Sequence, residues 1–267
     1  MILLNGGPQR AAVYVYSTRQ RMCCFHADKE HKINIVLIGN GAIAQYVSQK
    51  LVSRGHMISA VLLKPARIAD FPVGVDHVID CAGHSGLLAH GAQVLRAEYD
   101  MTTLSRGALA DQELFDALNA AGRQSGARLH LASGAIGALD CLRPANVGTL
   151  SSVRYVGRKP PQGWIGSPAE TLIDLKAIAD IARTHFKGSA RHAAIEYPKN
   201  ANVAAAVAVA GIGFDRTQVE LVADPTTTEN IHEATAQGDF GSFQFGIPGQ
   251  PMLDNPRVCR DERDHTD

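Results

Sequence analysis

The sequence predicts an α/β protein built on a doubly wound parallel sheet, with a second α+β unit after it, and three observations carry that expectation. The apolar run Ile33 to Ile38 enters Gly39-Asn40-Gly41-Ala42-Ile43-Ala44 and then a helix-like stretch reaching Ser53. Apolar runs and helix-length segments alternate from there to Ala132, the order that builds a parallel sheet with helices on its faces. Beyond about residue 138 the rhythm changes to strands separated by turn signals, with helical stretches between the first two.

Taken in order, residues 1–31 show no sustained period and read as an irregular extension, with Met22 an alternative start. The first strand ends in a Gly-x-Gly-x-x-Ala turn. Gly39 permits the tight turn, Gly41 lets backbone approach a pyrophosphate, and Ala44 lets the helix pack close to the strand. The helix start at Ala42 and Ile43 offers N–H groups and a positive dipole end to phosphates. That context points to a Rossmann-type domain over residues 32–137 that binds NAD or NADP. Further strands are expected at Ile58 to Leu63, Val75 to Cys81, Met101 to Leu104 and Arg128 to Ala132, with helices at Ser85 to Ala97 and Gln112 to Gly122. Ligands of such a sheet gather at the carboxyl ends of its strands, which places Gly39 to Ala44, Ala82 to Ser85, Ser105 to Ala108 and Ser133 to Gly137 around one crevice. The second unit, residues 138–256, should contain strands Val153 to Gly157, Gln218 to Ala223, Ile231 to Ala236 and Phe240 to Gly246, paired in antiparallel style. Helices are expected there at Pro168 to Phe186, Ser189 to Tyr197 and Ala201 to Gly211. A charged tail, residues 257–267, closes the chain.

Composition narrows the function classes. Lys+Arg and Asp+Glu balance at 26 each, so no global field recruits nucleic acid or an anionic membrane. No apolar run approaches the roughly 18 to 20 residues that cross a bilayer, and Arg10 interrupts the N-terminal stretch where a signal peptide would be apolar; a cytoplasmic protein is expected. The five cysteines form no C-x-x-C pair and have no histidine spacing suited to zinc, so they read as reduced structural residues and no metal is expected.

Several segments then resemble the L-aspartate dehydrogenase family. They are Ser105-Arg106-Gly107-Ala108-Leu109-Ala110-Asp111, Ser133-Gly134-Ala135-Ile136-Gly137-Ala138-Leu139-Asp140 and Gly157-Arg158-Lys159-Pro160-Pro161. Tyr197-Pro198-Lys199-Asn200-Ala201-Asn202-Val203-Ala204-Ala205, Ala223-Asp224-Pro225 and Glu229-Asn230-Ile231-His232 continue the series. The resemblance implies oxidation of L-aspartate to iminoaspartate with NAD or NADP, in support of pyridine nucleotide synthesis, by a homodimer. It implies His232 as the catalytic residue and Asn202 and Ala135 as dinucleotide contacts. The chain departs from the family at Arg106, where an apolar residue is usual, in the short stretch between Val61 and Val75, and at both ends. In place of a closing apolar helix it has Asn255-Pro256-Arg257-Val258-Cys259 and a charged tail, which predicts a nucleotide domain less stable than its neighbour.

Oxidising an α-amino acid requires a neutral amine and loss of the Cα hydrogen as hydride, and one group titrating near neutrality can serve the proton steps. His232 is the candidate and His84 its rival. Two substrate carboxylates need cations, for which Arg158, Lys159 and Lys199 are available. For the cofactor, Ala82 lies at the crevice. Lys64 and Arg67 follow the second strand with no acid before Asp70, so a 2′-phosphate should be accepted. The competing readings are a related two-domain reductase acting on a homoserine- or dihydrodipicolinate-like substrate, and a catalytically impaired dinucleotide-binding relative.

Overall fold

In the strand Asn34–Ile38 (β1), Ile35, Val36, Leu37 and Ile38 are each at most 1% exposed, as a strand covered on both faces requires. The computed structural model describes residues 32–63, 67–132, 136, 139–249, 251–252 and 255–259, the last two stretches as backbone. The chain divides into two compact units after Ala132. In the first, β1 is followed by Ala42–Ser53 (α1), Met57–Leu62 (β2), His77–Asp80 (β3), His84–Arg96 (α2), Met101–Thr103 (β4), Gln112–Ser125 (α3) and Leu129–Leu131 (β5). All five strands run parallel in the order β2-β1-β3-β4-β5, so the strand order reverses between β1 and β3. Ile35, Leu37 and Ile79 pack on Val47 and Leu51, which share one face of α1 at the i, i+4 spacing. Gly91 lets α2 and α3 close together, since a Cβ there would stand 2.8 Å from Leu87 and 2.9 Å from Leu118. The ends of α3 are set locally: Asp111 accepts from the N–H groups of Glu113 and Leu114, and Gly126 takes the left-handed conformation with φ +81°.

The second unit contains Leu139–Ala145 (α4), Leu150–Lys159 (β6), Ala169–Leu172 (α5), Arg183–Ser189 (β7), Ala190–Glu196 (α6), Asn202–Ala210 (α7), Gln218–Ala223 (β8), Asn230–Gly238 (β9), Gly241–Gly249 (β10), Pro251–Met252 (β11) and Asn255–Cys259 (β12). The main sheet is ordered β10-β9-β6-β8-β7, and β11 pairs with β12. It is mixed rather than antiparallel throughout, because β6 and β8 run parallel. The almost wholly apolar α7 is buried from Val203 to Ala208, which its small residues make possible. Among the described residues no helix is long and apolar enough to cross a membrane.

The helix expected over Pro168 to Phe186 is replaced by three structures. Only Ala169–Leu172 is helical; Ile173 is extended at φ −142° and ψ 147°. Asp174 then accepts from the N–H groups of Lys176 and Ala177 in a side-chain-closed turn. Residues from Arg183 onward pair with β8, and that ladder overrides the apparent helical period. Helix α4, with Pro144 inside it, and the β11–β12 hairpin are structure that the sequence reading lacks. Residues 1–31 and 260–267, to which the N-terminal extension and most of the charged tail were assigned, lie outside the described residues.

Candidate active site

The turn after β1 is built for contact with its neighbours. Gly39 has φ +108°, and a Cβ there would lie 2.9 Å from the carbonyl carbon of Cys81 and 3.0 Å from the nitrogen of Ala82. Its N–H donates to Leu62 O at 2.8 Å, while Cys81 N–H donates to Ile38 O at 2.8 Å, so the turn is tied to both flanking strands. Gly41 serves a different purpose. Its φ of −77° suits any residue, and a Cβ there would meet nothing within 4 Å. The open space lies over exposed residues Asn40 to Ala42, and the first intrahelical bond is Gln45 N–H to Gly41 O, so the N–H groups of Ala42, Ile43 and Ala44 precede the helical ladder. A cradle that a side chain would fill, at a helix N-terminus and a strand-order reversal, fits the pyrophosphate of a dinucleotide. Buried Asp80 anchors the adjoining loop by accepting from Thr103 Oγ1 at 2.8 Å and Ala82 N–H at 3.1 Å, with His90 Nε2 at 3.3 Å. Burial and the Asp80 charge push the Cys81 thiol up to about 12, which keeps it protonated and unreactive.

In the second unit, burial alternates along β6 so that Val153, Tyr155, Gly157 and Lys159 face inward. On β9 the inward residues are Asn230, His232, Ala234 and Ala236. Gly157 stands directly opposite His232, which places His232 on the face that carries Tyr155 and Lys159. His232 is 3% exposed, and its Nδ1 lies 2.6 Å from Tyr155 Oη. Burial, with a smaller contribution from the Lys159 charge, pushes His232 down to about 3. At neutral pH it is therefore an uncharged imidazole. Lys159, 4% exposed, holds its ammonium 5.5 Å from the centre of the Trp164 ring, and Trp164 is fixed by its Nε1–H bond to Val222 O at 3.0 Å. Gly163 permits this approach, because a Cβ there would stand 3.2 Å from Lys159 Cβ and 3.9 Å from Asn230 Oδ1.

Adjacent in sequence, Arg158 and Lys159 are separated by strand alternation. Arg158 points away from the His232 face and pairs with Asp224 at 3.0 Å and Glu233 at 4.0 Å. Burial works against the Asp224 carboxylate, but hydrogen bonds from Thr226 and Arg158 outweigh it and hold that carboxyl below its usual range. Lys199 is exposed in the turn before α7, and Asn202 is half-buried as the first residue of that helix. His84 opens α2, also half-buried. Arg67 is exposed and paired with Asp70 at 3.1 Å, so its charge is shared with the first acid after β2. Lys64 and Ala135 lie outside the described residues. Asp80 and Tyr155 were missed. The signal for Tyr155 was the period-two pattern Val153, Tyr155, Gly157, Lys159, and for Asp80 a lone acid closing an apolar run.

Two family models match the chain: aspartate dehydrogenase, C-terminal, over residues 140–260, and homoserine dehydrogenase, NAD binding domain, over residues 25–132. The chain is 49% identical over 241 residues to the L-aspartate dehydrogenase of Ruegeria pomeroyi, spanning 85% of this chain and 87% of that one. It is 42% identical over 246 residues to that of Pseudomonas aeruginosa, spanning 85% and 92%. Among solved structures, aspartate dehydrogenase from Thermotoga maritima is similar at a TM-score of 0.67 and 26% identity, over 81% of this chain and 89% of that one. Identity of this extent across most of both sequences leaves one conclusion: the chain belongs to the L-aspartate dehydrogenase family.

Proposed function

We propose that the protein oxidises L-aspartate to iminoaspartate, which water converts to oxaloacetate and ammonia, with His232 as the catalytic base and Lys159 as a carboxylate partner. Bound at the Gly39 to Ala44 cradle, NAD or NADP supplies the hydride acceptor. The observation that carries the reading is a neutral, buried histidine sharing one sheet face with a buried lysine, in a chain of this family. A substrate α-ammonium must lose a proton before its Cα–H can leave as hydride, and an uncharged imidazole is ready to accept it. A base held near 3 is weak; a dicarboxylate beside Lys159 would offset the smaller of the two causes that lower the imidazole, the Lys159 charge, while burial, the larger, stays in place. Burial of Lys159 on the His232 face, and the pairing of Arg158 with Asp224 and Glu233 away from it, favour Lys159 over Arg158 as the substrate's carboxylate partner.

Asn202 and Ala135 remain proposed dinucleotide contacts, Lys64 and Arg67 proposed 2′-phosphate contacts, and Lys199 a proposed peripheral cation for the substrate. A homodimer, a cytoplasmic location and a supply of iminoaspartate to pyridine nucleotide synthesis belong to the same proposal and rest on the family resemblance. The test is NAD(P) reduction by purified protein with L-aspartate, run beside homoserine and the other amino acids. Aspartate-dependent reduction is expected; turnover of another amino acid in its place, or cofactor binding without any turnover, would overturn the assignment.

A further inference from the structure

We propose that Tyr155 is the positioning residue for His232, fixing which ring nitrogen meets the reactant, and that Gly157 lacks a side chain so that the Tyr155 hydroxyl can reach it. The proposal rests on the aspartate reading for its kinetic consequence, but not for its geometry. Tyr155 is 1% exposed and His232 3%, so water does not replace the 2.6 Å contact between them. Their rings lie 20° from parallel with centroids 6.1 Å apart, which keeps the phenol oxygen at the Nδ1 edge.

The space the hydroxyl uses belongs to position 157. A Cβ on Gly157 would lie 2.9 Å from Tyr155 Oη and 3.2 Å from its Cε1, with Leu221 Cδ2 also at 3.2 Å. Gly157 is absent from the glycines with positive φ, so its backbone asks for no glycine. Space, and not conformation, explains the residue. Tyr155 therefore lies along β6 across the one inward position without a side chain, directly opposite His232 in register.

The chemical consequence follows from the two nitrogens. With Nδ1–H donating to the phenol oxygen, Nε2 keeps its lone pair for the reactant. When Nε2 takes a proton, the Nδ1–H bond to Tyr155 becomes charge-assisted and stabilises an imidazolium that burial otherwise penalises. The proton moves from the substrate nitrogen to Nε2; the Tyr155 hydroxyl keeps its own.

Three variants test this: Tyr155→Phe, Gly157→Ala and the double variant. Nitrogen-15 spectra of histidine-labelled, cofactor-free protein read the His232 tautomer without any turnover. Wild type should show a protonated Nδ1 and a bare Nε2, and Tyr155→Phe should shift the ring toward the other tautomer. With aspartate, kcat should fall about tenfold or more while KM stays within about threefold, since the base remains but is misaligned; full removal of a general base costs about 10² to 10⁴. Gly157→Ala should lower both melting temperature and kcat, and its melting loss should shrink in the Tyr155→Phe background, where the colliding oxygen is gone. An unchanged His232 spectrum in Tyr155→Phe, a wild-type Nε2–H tautomer, or fully additive melting losses would overturn the proposal. Absence of aspartate turnover in wild type with the expected spectra would sink the substrate reading alone.

Discussion

In the first unit the atoms proposed to meet a ligand are main-chain N–H groups at Ala42 to Ala44, placed by six consecutive residues; in the second they are proposed to be side chains of β6 and β9, where Tyr155 and His232 touch across 77 positions. The first arrangement places no charged side chain at the turn and depends on having little there: Gly39 for contact and Gly41 for open space. The second depends on burying groups that resist burial, a lysine and a histidine, and holding them by packing. A backbone site tolerates most chemistry around it but not added atoms. A side-chain site tolerates neither lost groups nor wrong protonation.

The largest effect should come from removing the imidazole. His232→Ala should lower turnover by about 10² to 10⁴ while leaving NAD(P) affinity, measured by fluorescence titration, unchanged. A matching loss of cofactor affinity would contradict the assignment of dinucleotide binding to the first unit's turn.

Acid should affect the second unit more than the first. Burial pushes His185 and His232 in the second unit down to about 4 and about 3, and burial followed by the neighbouring His130 lowers His77 in the first to about 4. Above the ordinary histidine value of 6.5 these groups are neutral folded or unfolded and change nothing. Below it the unfolded chain takes up protons that the folded chain refuses, so stability falls with pH until the folded values are reached, by up to about 1.4 kcal/mol per pH unit for the most deeply buried group and by less for His185, which solvent partly screens. Amide exchange compared at neutral pH and about two units lower should show the larger loss of protection in the second unit; equal losses would contradict the comparison.

The two glycines should fail in opposite ways. Gly39→Ala forces a side chain into φ +108° and onto the Cys81 backbone, and should destabilise the first unit by about 1–3 kcal/mol. Gly41→Ala should leave the melting temperature unchanged and weaken NAD(P) binding about tenfold, near 1.4 kcal/mol. Saturating cofactor should also raise the first unit's melting transition, about 2.7 kcal/mol at a hundredfold excess over Kd. Equal behaviour of the two variants in melting and titration would remove the distinction.

Smallest is Arg158. Paired with Asp224 away from the His232 face and partly solvated, it should contribute at most about 1 kcal/mol. Arg158→Gln should therefore leave the aspartate KM near wild type. A large rise would return Arg158 to the substrate pocket.

The sequence alone determined what depends on neighbours in the chain. The turn at Gly39 to Ala44 was legible because its conformation follows from local backbone freedom, and the strand-helix rhythm to Ala132 was legible because buried parallel strands and amphipathic helices have different apolar periods. His232 became a candidate only by resemblance, since its sequence neighbours show no reason for its burial. Tertiary structure decided the rest. The β7–β8 ladder turned a predicted helix into a strand edge, because pairing across the sheet outweighs a local period. Register between β6 and β9 set Gly157 against His232, and the side-chain period of two then sent Lys159 to that face and Arg158 to the other. A slip of one residue would have reversed them, and nothing within either strand specifies that register; the packing of both faces does.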